Sequence, residues 1–402
     1  MGYTAADGRM SPAPGPLHAI RCDYPSDGVR IERDPTTGTL RYFRADDPAA
    51  EEYSYQKPFI LELEVTRRCN LNCPHCYAHA GEVAADTELT VAEIEQVLDA
   101  GRSAGIRELS LTGGEVFMHP ELFRIIDAGL ARDFVVRFVT NATLIDEPEL
   151  VELCRRPIKL ITVSLDGARA KVHERIRGPG THARTVAAID RLVEAGFAVS
   201  VITAFSRLNV GEFDALLRFC TDRDIDWQVQ LTSSKGRCPP SLTLSPTEYY
   251  ALGERVAQAL VSEPGIRIIP MDDLATFSHF PPLSLLGETW QLKCTGGLLN
   301  LFVRANGDVT PCSALCFDQC VVGNVRRESL GVILKEERCR HNLAWLSSDT
   351  LTGVCAKCGF RRQCQGGCPE ILLCMCKQPT ENEYCYHRIE QARVLGETLG
   401  DG

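Results

Sequence analysis

From Pro58 onward the chain alternates short apolar runs with longer stretches whose apolar residues recur at helical spacing. The runs FILELEVT (59–66), RELSLT (107–112), DFVVRFVT (133–140), IKLITVSLD (158–166), FAVSVITAF (197–205) and DWQVQLTSS (226–234) predict strands. Helical stretches near 90–104, 120–132, 146–155, 182–195 and 211–223 separate them. In the first, Val91, Ile94, Val97 and Leu98 carry the apolar face. Regular alternation of strand and helix argues for a parallel sheet, and six such units predict an α/β fold, a partial (β/α)6 barrel of the TIM type. Before it, residues 1–57 form an N-terminal extension: a Gly-, Ala- and Pro-rich start read as flexible, then a hairpin from GVRIERD and TLRYFRAD around the turn Pro35 to Gly38. The expected division is a barrel core at 58–240, a connecting segment at 241–290, a cysteine-rich domain at 291–390 and a tail at 391–402.

The 402 residues have a hydrophobic content of 44% and a formal charge of −10 with both signs interspersed. Without a Lys/Arg run, nucleic acid is not the expected partner. No apolar run reaches the length of a membrane helix, and MGYTAADGRMSPAPGP lacks the order of a signal peptide, so the expectation is a cytoplasmic protein off the membrane. In that reducing compartment 19 cysteines point to metal binding rather than disulfides.

Cys69, Cys73 and Cys76 stand in EVTRRCNLNCPHCYAHAG, directly after the first strand. A cubane [4Fe-4S] cluster normally takes four thiolates, so a three-cysteine loop leaves one iron open. The alternative is zinc, whose closed structural sites want four ligands; only His75 and His79 stand nearby to help. The spacing C-x3-C-x2-C matches that of the radical SAM superfamily without departure, and the chain resembles that family over roughly residues 58–390. The resemblance implies a [4Fe-4S] cluster with S-adenosylmethionine (SAM) on its open iron, reductive cleavage of SAM to a 5′-deoxyadenosyl radical, and abstraction of a substrate hydrogen. His75 stands where the family usually has an aromatic ring near the adenine.

Parallel barrels bind ligands at the C-terminal ends of their strands. After the second strand, Gly113 and Gly114 allow close backbone approach to a ligand, and Glu115 offers a carboxylate to an α-ammonium group. The segment resembles the family element that grips the SAM amino group, with Val116 in place of its usual proline. Ser164 and Arg177, with Arg175 as competitor, resemble residues that hold the SAM carboxylate and ribose. The plain reading is that they finish a strand and solvate a helix. Asn141 and the run Ser233 to Arg237 lie on the same rim, and the Gly236-Arg237 pair resembles an element that approaches SAM.

At the C-terminus, Cys294, Cys312, Cys355, Cys358, Cys364, Cys368 and Cys385 are spaced like those of the SPASM domain, which houses two auxiliary [4Fe-4S] clusters; zinc ribbons also use C-x2-C pairs. By that resemblance Cys355, Cys358, Cys364 and Cys385 hold the outer cluster. Cys294, Cys312 and Cys368 hold the inner one, with Cys316 or an open iron in the fourth place. Cys320, Cys374 and Cys376 are surplus, and Cys22, Cys154, Cys220 and Cys339 read as small buried hydrophobes. Cys238 follows the sixth strand on the rim, where its weak S–H bond suits a catalytic hydrogen-atom donor; an incidental thiol is the alternative. Sulfatase-maturating relatives carry an aspartate base where this chain has Ser313, which speaks against their formylglycine chemistry.

The resemblance implies an oxidoreductase-type enzyme in natural product biosynthesis whose expected substrate is a ribosomally made peptide, oxidatively modified or crosslinked. The alternative is dehydrogenation or epimerisation of a small metabolite such as an aminoglycoside; haem-modifying relatives give a third reading. An electron donor such as flavodoxin or ferredoxin is implied as partner. A non-enzymatic metal-binding module would leave the rim motifs idle.

Overall fold

The computed structural model describes residues 20–24, 29–33, 40–44, 47–53, 59–81, 87–262, 267–270, 274, 278, 294, 296–297, 300–335, 338 and 347–395. The chain divides into two units, residues 1–55 and 56–402. In the first, β1 (Ile20–Tyr24), β2 (Val29–Arg33), β3 (Leu40–Arg44) and β4 (Asp47–Tyr53) form an antiparallel sheet in chain order. The paired runs β2 and β3 are those read as a hairpin, with Val29 opposite Arg44; the turn Pro35 to Gly38 lies outside the described residues.

In the second unit β5 (Ile60–Thr66), β6 (Glu108–Gly113), β7 (Val135–Thr140), β8 (Leu160–Ser164), β9 (Val199–Phe205) and β10 (Asp226–Leu231) lie side by side, all parallel. Between them run α1 (Val91–Ser103), α2 (Leu122–Leu130), α3 (Glu147–Cys154), α4 (Ala170–Arg177), α5 (Thr181–Glu194) and α6 (Phe213–Thr221). These are the six strands and, apart from the additional α4, the five helices expected from the sequence, with boundaries shifted by a residue or two except at β10, which stops at Leu231 where the apolar run suggested Ser234. α1 starts at a reciprocal cap: Thr90 accepts from the Glu93 amide and Glu93 accepts from the Thr90 amide.

Period-two alternation gives the parallel sheet two different faces. Leu61, Leu63, Val65, Leu109, Leu111, Val136, Phe138, Ile161, Val163, Val201, Trp227 and Val229 are buried in one hydrophobic core with the helices. Close packing there explains Gly129 of α2, whose Cβ would sit 2.7 Å from Leu109 Cδ2. The other face carries Glu62, Glu64, Ser110, Thr112, Thr162, Ser164, Ser200, Gln228 and Gln230. There Thr162 and Ser200 share a 2.9 Å hydrogen bond, and Gln228 donates to Ser200 at 3.0 Å. The barrel interior therefore carries the hydrogen-bonded group Thr162, Ser200 and Gln228 beside apolar residues of the same face such as Val139, Leu160 and Ile202.

Both edges of the six strands are extended. β11 (Ile268–Pro270) pairs parallel with β10 after α7 (Pro246–Ser262), so part of the expected connecting segment continues the sheet. At the other edge β12 (Asn300–Val303) pairs parallel with β5, followed antiparallel by β13 (Asp308–Thr310) and β14 (Gly323–Asn324). Added strands satisfy backbone groups that a bare edge exposes. Among the described residues no helix is long and apolar enough to cross a membrane.

Candidate active site

The cysteine loop leaves the C-terminal end of β5 and is held by backbone contacts. The Cys69 amide donates to Gly81 O at 3.2 Å and the Gly81 amide to Arg67 O at 3.0 Å, closing the loop at its base. Leu71 N–H points at Cys69 Sγ (3.5 Å) and Ala80 N–H at Cys76 Sγ (3.4 Å), so donors that favour a thiolate are in place. Glu88 fixes the loop's entry: it accepts from Thr66 Oγ1 and the Arg67 amide, both at 2.7 Å, and pairs with Arg68 at 3.1 Å. At the tip, Asn70 donates to Thr143 Oγ1 at 2.9 Å and accepts from Asn141 Nδ2 at 3.0 Å, tying the loop to the end of β7.

Two glycine elements hold the loop from outside. A Cβ on Gly113 would overlap Thr66 O and one on Gly114 would overlap Arg68 O, so the close approach read for a ligand is made to the chain's own backbone. Gly236, at φ +62°, packs against the carbonyls of Cys76 and Tyr77. Arg237 follows, donating from its amide to Cys76 O (3.0 Å), from Nε to Cys73 O (3.1 Å) and from Nη1 to Ala80 O. The Gly-Arg pair, expected by resemblance to approach SAM, is seen here to grip the loop bearing Cys73 and Cys76.

Asp166 at the end of β8 is the buried hub of this rim, and nothing in the sequence singled it out. It pairs with Arg177 Nε at 2.6 Å and with His75 Nε2 at 3.3 Å, and accepts from the Ala204 amide at 3.1 Å. Burial pushes its carboxyl up, but the Arg177 guanidinium and His75 outweigh that and hold it far below the carboxylate range. Arg177 is kept charged by the same pair against the cost of burial, and its charge is also felt by Cys73. His75 and Arg177 thus meet at one carboxylate beside the cluster loop, and Ser164 ends the same strand, half-buried. Among the described residues, His75 Nδ1 and His173 Nε2 are buried without a hydrogen-bond partner.

Glu115 is 1% exposed. It accepts from Thr140 Oγ1 (2.6 Å), the Asn141 amide (2.7 Å) and the Phe117 amide (3.2 Å), joining the ends of β6 and β7. Burial raises its carboxyl against the pull of these donors and of Arg177. Each oxygen has two lone pairs, so Oε2, with one donor, keeps capacity for an ammonium hydrogen. Cys238 lies one residue past the Arg237 clamp, buried, its Sγ 3.7 Å from Pro239 O. Burial alone pushes its thiol up to about 11.

Farther along, Cys355, Cys358, Cys364 and Cys385 line one cavity with Leu351, Phe360 and His387. These are the four cysteines read as the outer ligand set. The Asn382 amide points at Cys355 Sγ (3.3 Å), and burial pushes the Cys385 thiol up to about 12. Burial raises the Cys312 thiol well above its usual value, and Cys294 pushes it the same way. Cys368 caps the helix Pro369–Cys374. Cys316 instead shares the surroundings of Cys320 and Cys374 around Lys235. Among the expected buried thiols, Cys220 is buried but Cys154 is exposed, because the last turn of α3 turns it outward; Cys22 and Cys339 lie outside the residues whose side chains are described.

A three-thiol loop with backbone donors aimed at its sulfurs, and a cavity walled by four thiols, are donor sets that fit iron–sulfur clusters. Among the described residues no three Cys, His, Asp or Glu side chains converge on one point as a single ion requires, whereas a cubane spreads its thiolates over its corners. Fold and site therefore define an iron–sulfur enzyme built on a parallel barrel. Residues 63–220 match the sequence model of the Radical SAM superfamily, and residues 294–359 match that of SPASM, the iron-sulfur cluster-binding domain. The chain belongs to the radical SAM superfamily and carries a SPASM domain. It is 28% identical over 323 residues to Mycofactocin maturase MftC of Mycobacterium ulcerans, covering 79% of this chain and 84% of that one. It is 27% identical over 356 residues to AdoMet-dependent heme synthase of Methanosarcina barkeri, covering 82% and 97%. The crystal structure of Streptococcus suis SuiB bound to precursor peptide SuiA shares the fold, with a TM-score of 0.66, 19% identity and coverage of 81% and 75%. Bound to this chain, the cluster and SAM supply one-electron cleavage of SAM and a hydrogen-abstracting radical, and the SPASM domain adds auxiliary iron–sulfur clusters.

Proposed function

We propose that this enzyme oxidatively modifies or crosslinks a ribosomally made peptide in the cytoplasm, with flavodoxin or ferredoxin as electron donor. The observation that carries the reading is the interior of the barrel. Its Ser, Thr and Gln side chains, joined by the Thr162, Ser200 and Gln228 hydrogen bonds, offer partners to peptide amides. The resemblance to a maturase supports the same class, and the heme synthase relative keeps haem modification as a second reading.

In this proposal Cys69, Cys73 and Cys76 hold the cluster that binds SAM, and Glu115, Ser164, Arg177 and His75 position SAM on the surface made with Gly113 and Gly114. Cys355, Cys358, Cys364 and Cys385 hold the outer cluster and Cys294, Cys312 and Cys368 the inner one. Cys238 is the proposed hydrogen-atom donor should the outcome be epimerisation. The proposed domains are a barrel core at 58–240 and a SPASM domain at 291–390. The test is anaerobically reconstituted enzyme given SAM, a reductant and, in parallel, any short peptide encoded beside its gene, a haem precursor and an aminoglycoside-type sugar. The expected result is 5′-deoxyadenosine together with a peptide that has lost hydrogen; turnover of a haem precursor or a sugar, with the peptide unchanged, overturns the proposal.

A further inference from the structure

Lys235, just past β10, is a lysine whose side chain is only 4% exposed. Its Nζ lies 2.9 Å from Glu370 Oε1 and donates to Ala314 O at 2.5 Å, while Ser233 Oγ donates to the same Glu370 oxygen at 2.5 Å. The ammonium also sits 4.8 Å from the centre of the Tyr77 ring and 5.7 Å from that of Phe317. In sequence Tyr77 follows Cys76, Ala314 stands two residues after Cys312, and Glu370 two after Cys368. One buried ammonium thus gathers the chain from the SAM-cluster loop and from two inner-cluster cysteines.

A buried ion pair is weak evidence for stability, since well-packed apolar residues of similar volume often do as well. Its placement gives it another use. The ammonium holds the carbonyl of Ala314, two residues past Cys312, and the carboxylate it pairs with belongs to Glu370, two residues past Cys368, so both charges lie on the segments that carry these two thiols. Net charge and nearby hydrogen bonds are what set a cluster's reduction potential. We infer that Lys235 is a positioning residue for the inner auxiliary cluster, balancing the Glu370 carboxylate beside that cluster's thiols so that it accepts an electron readily. The inference rests on Cys294, Cys312 and Cys368 being the inner ligands.

The test is an EPR-monitored redox titration of the full-length, anaerobically reconstituted chain and its Lys235→Met, Glu370→Gln and Lys235→Arg variants, with iron content and melting temperature measured alongside. Lys235→Met leaves a bare carboxylate and should move one auxiliary midpoint to more negative potential. Glu370→Gln leaves a bare ammonium and should move the same midpoint the other way. Lys235→Arg keeps the charge and should stay near the parent value even where the melting temperature falls. Absent or same-sign shifts at full iron content overturn the inference, because a purely structural tie would change stability alone. A parent chain without an auxiliary signal overturns instead the assignment of the inner ligands. Should Lys235→Met fail to assemble, the sign of the Glu370→Gln shift still decides.

Discussion

At Glu115 one carboxylate meets three internal donors, so its removal has two separable effects. Glu115→Ala leaves the Thr140 hydroxyl and two amides without their acceptor, which costs about 1–3 kcal/mol of stability for a buried group left unsatisfied. It also removes a proposed partner of the SAM ammonium, so SAM affinity measured by equilibrium dialysis should fall on the order of tenfold, equivalent to about 1.4 kcal/mol. Iron content should not change, since no thiolate is touched. Cys238 presents the converse case, a group with no charged partner among the described residues. With its thiol at about 11, it stays protonated as S–H through neutral pH, and thiolate gains only as pH rises toward that value. If it donates the final hydrogen atom, turnover in deuterated water places one deuterium in the product, and Cys238→Ala still makes 5′-deoxyadenosine but loses that product. Product formed by the alanine variant, with no solvent deuterium at the reacting carbon, removes Cys238 from the catalytic list.

Among elements, the cysteine loop is positioned chiefly by neighbours that leave no room for a methyl group. Gly114→Ala and Gly236→Ala each drive a Cβ into backbone of this loop, at Arg68 and at Cys76 and Tyr77 respectively, and backbone yields less readily than a side chain. Each variant should lose the SAM-binding cluster and keep the auxiliary ones, so that iron falls from about twelve to about eight per chain at four per cubane. Retained SAM cleavage in Gly236→Ala would count against the clamp. The strands and helices around the loop were legible because their periods are local: β8 reads as a strand from LITVS alone. Other features depend on residues far apart. Asp166 looks like an ordinary strand-end aspartate until Arg177 and His75 fold onto it, and Arg237 reaches Cys73 across a sequence separation of 164. β12 gives no sign in NLFV that it will lie beside β5. The GG pair was seen, but the partner of its close approach was not, since the backbone it meets lies in a loop with no periodic pattern.

Over the whole molecule, the pairing of β12 with β5 joins the SPASM region to the barrel strand that launches the cysteine loop. One continuous sheet thus carries both the strand before the three-cysteine loop and a strand of the SPASM region, while Cys355, Cys358, Cys364 and Cys385 line a pocket of their own, so the two proposed functions should be separable by mutation. Replacing Cys69, Cys73 and Cys76 together with alanine should remove about four of about twelve irons and all SAM cleavage. Cys358→Ala opens only the four-thiol cavity, well outside the Glu88, Asp166 and Glu115 contacts that hold the rim. Its expected phenotype is the loss of up to about four irons with reductive SAM cleavage preserved. If the outer cluster carries electrons away from the product radical, 5′-deoxyadenosine should then accumulate in excess over modified substrate, where the parent enzyme couples the two. A Cys358→Ala enzyme that loses iron yet keeps the parent ratio of product to 5′-deoxyadenosine would assign this cavity a structural role and leave electron removal to the inner cluster alone.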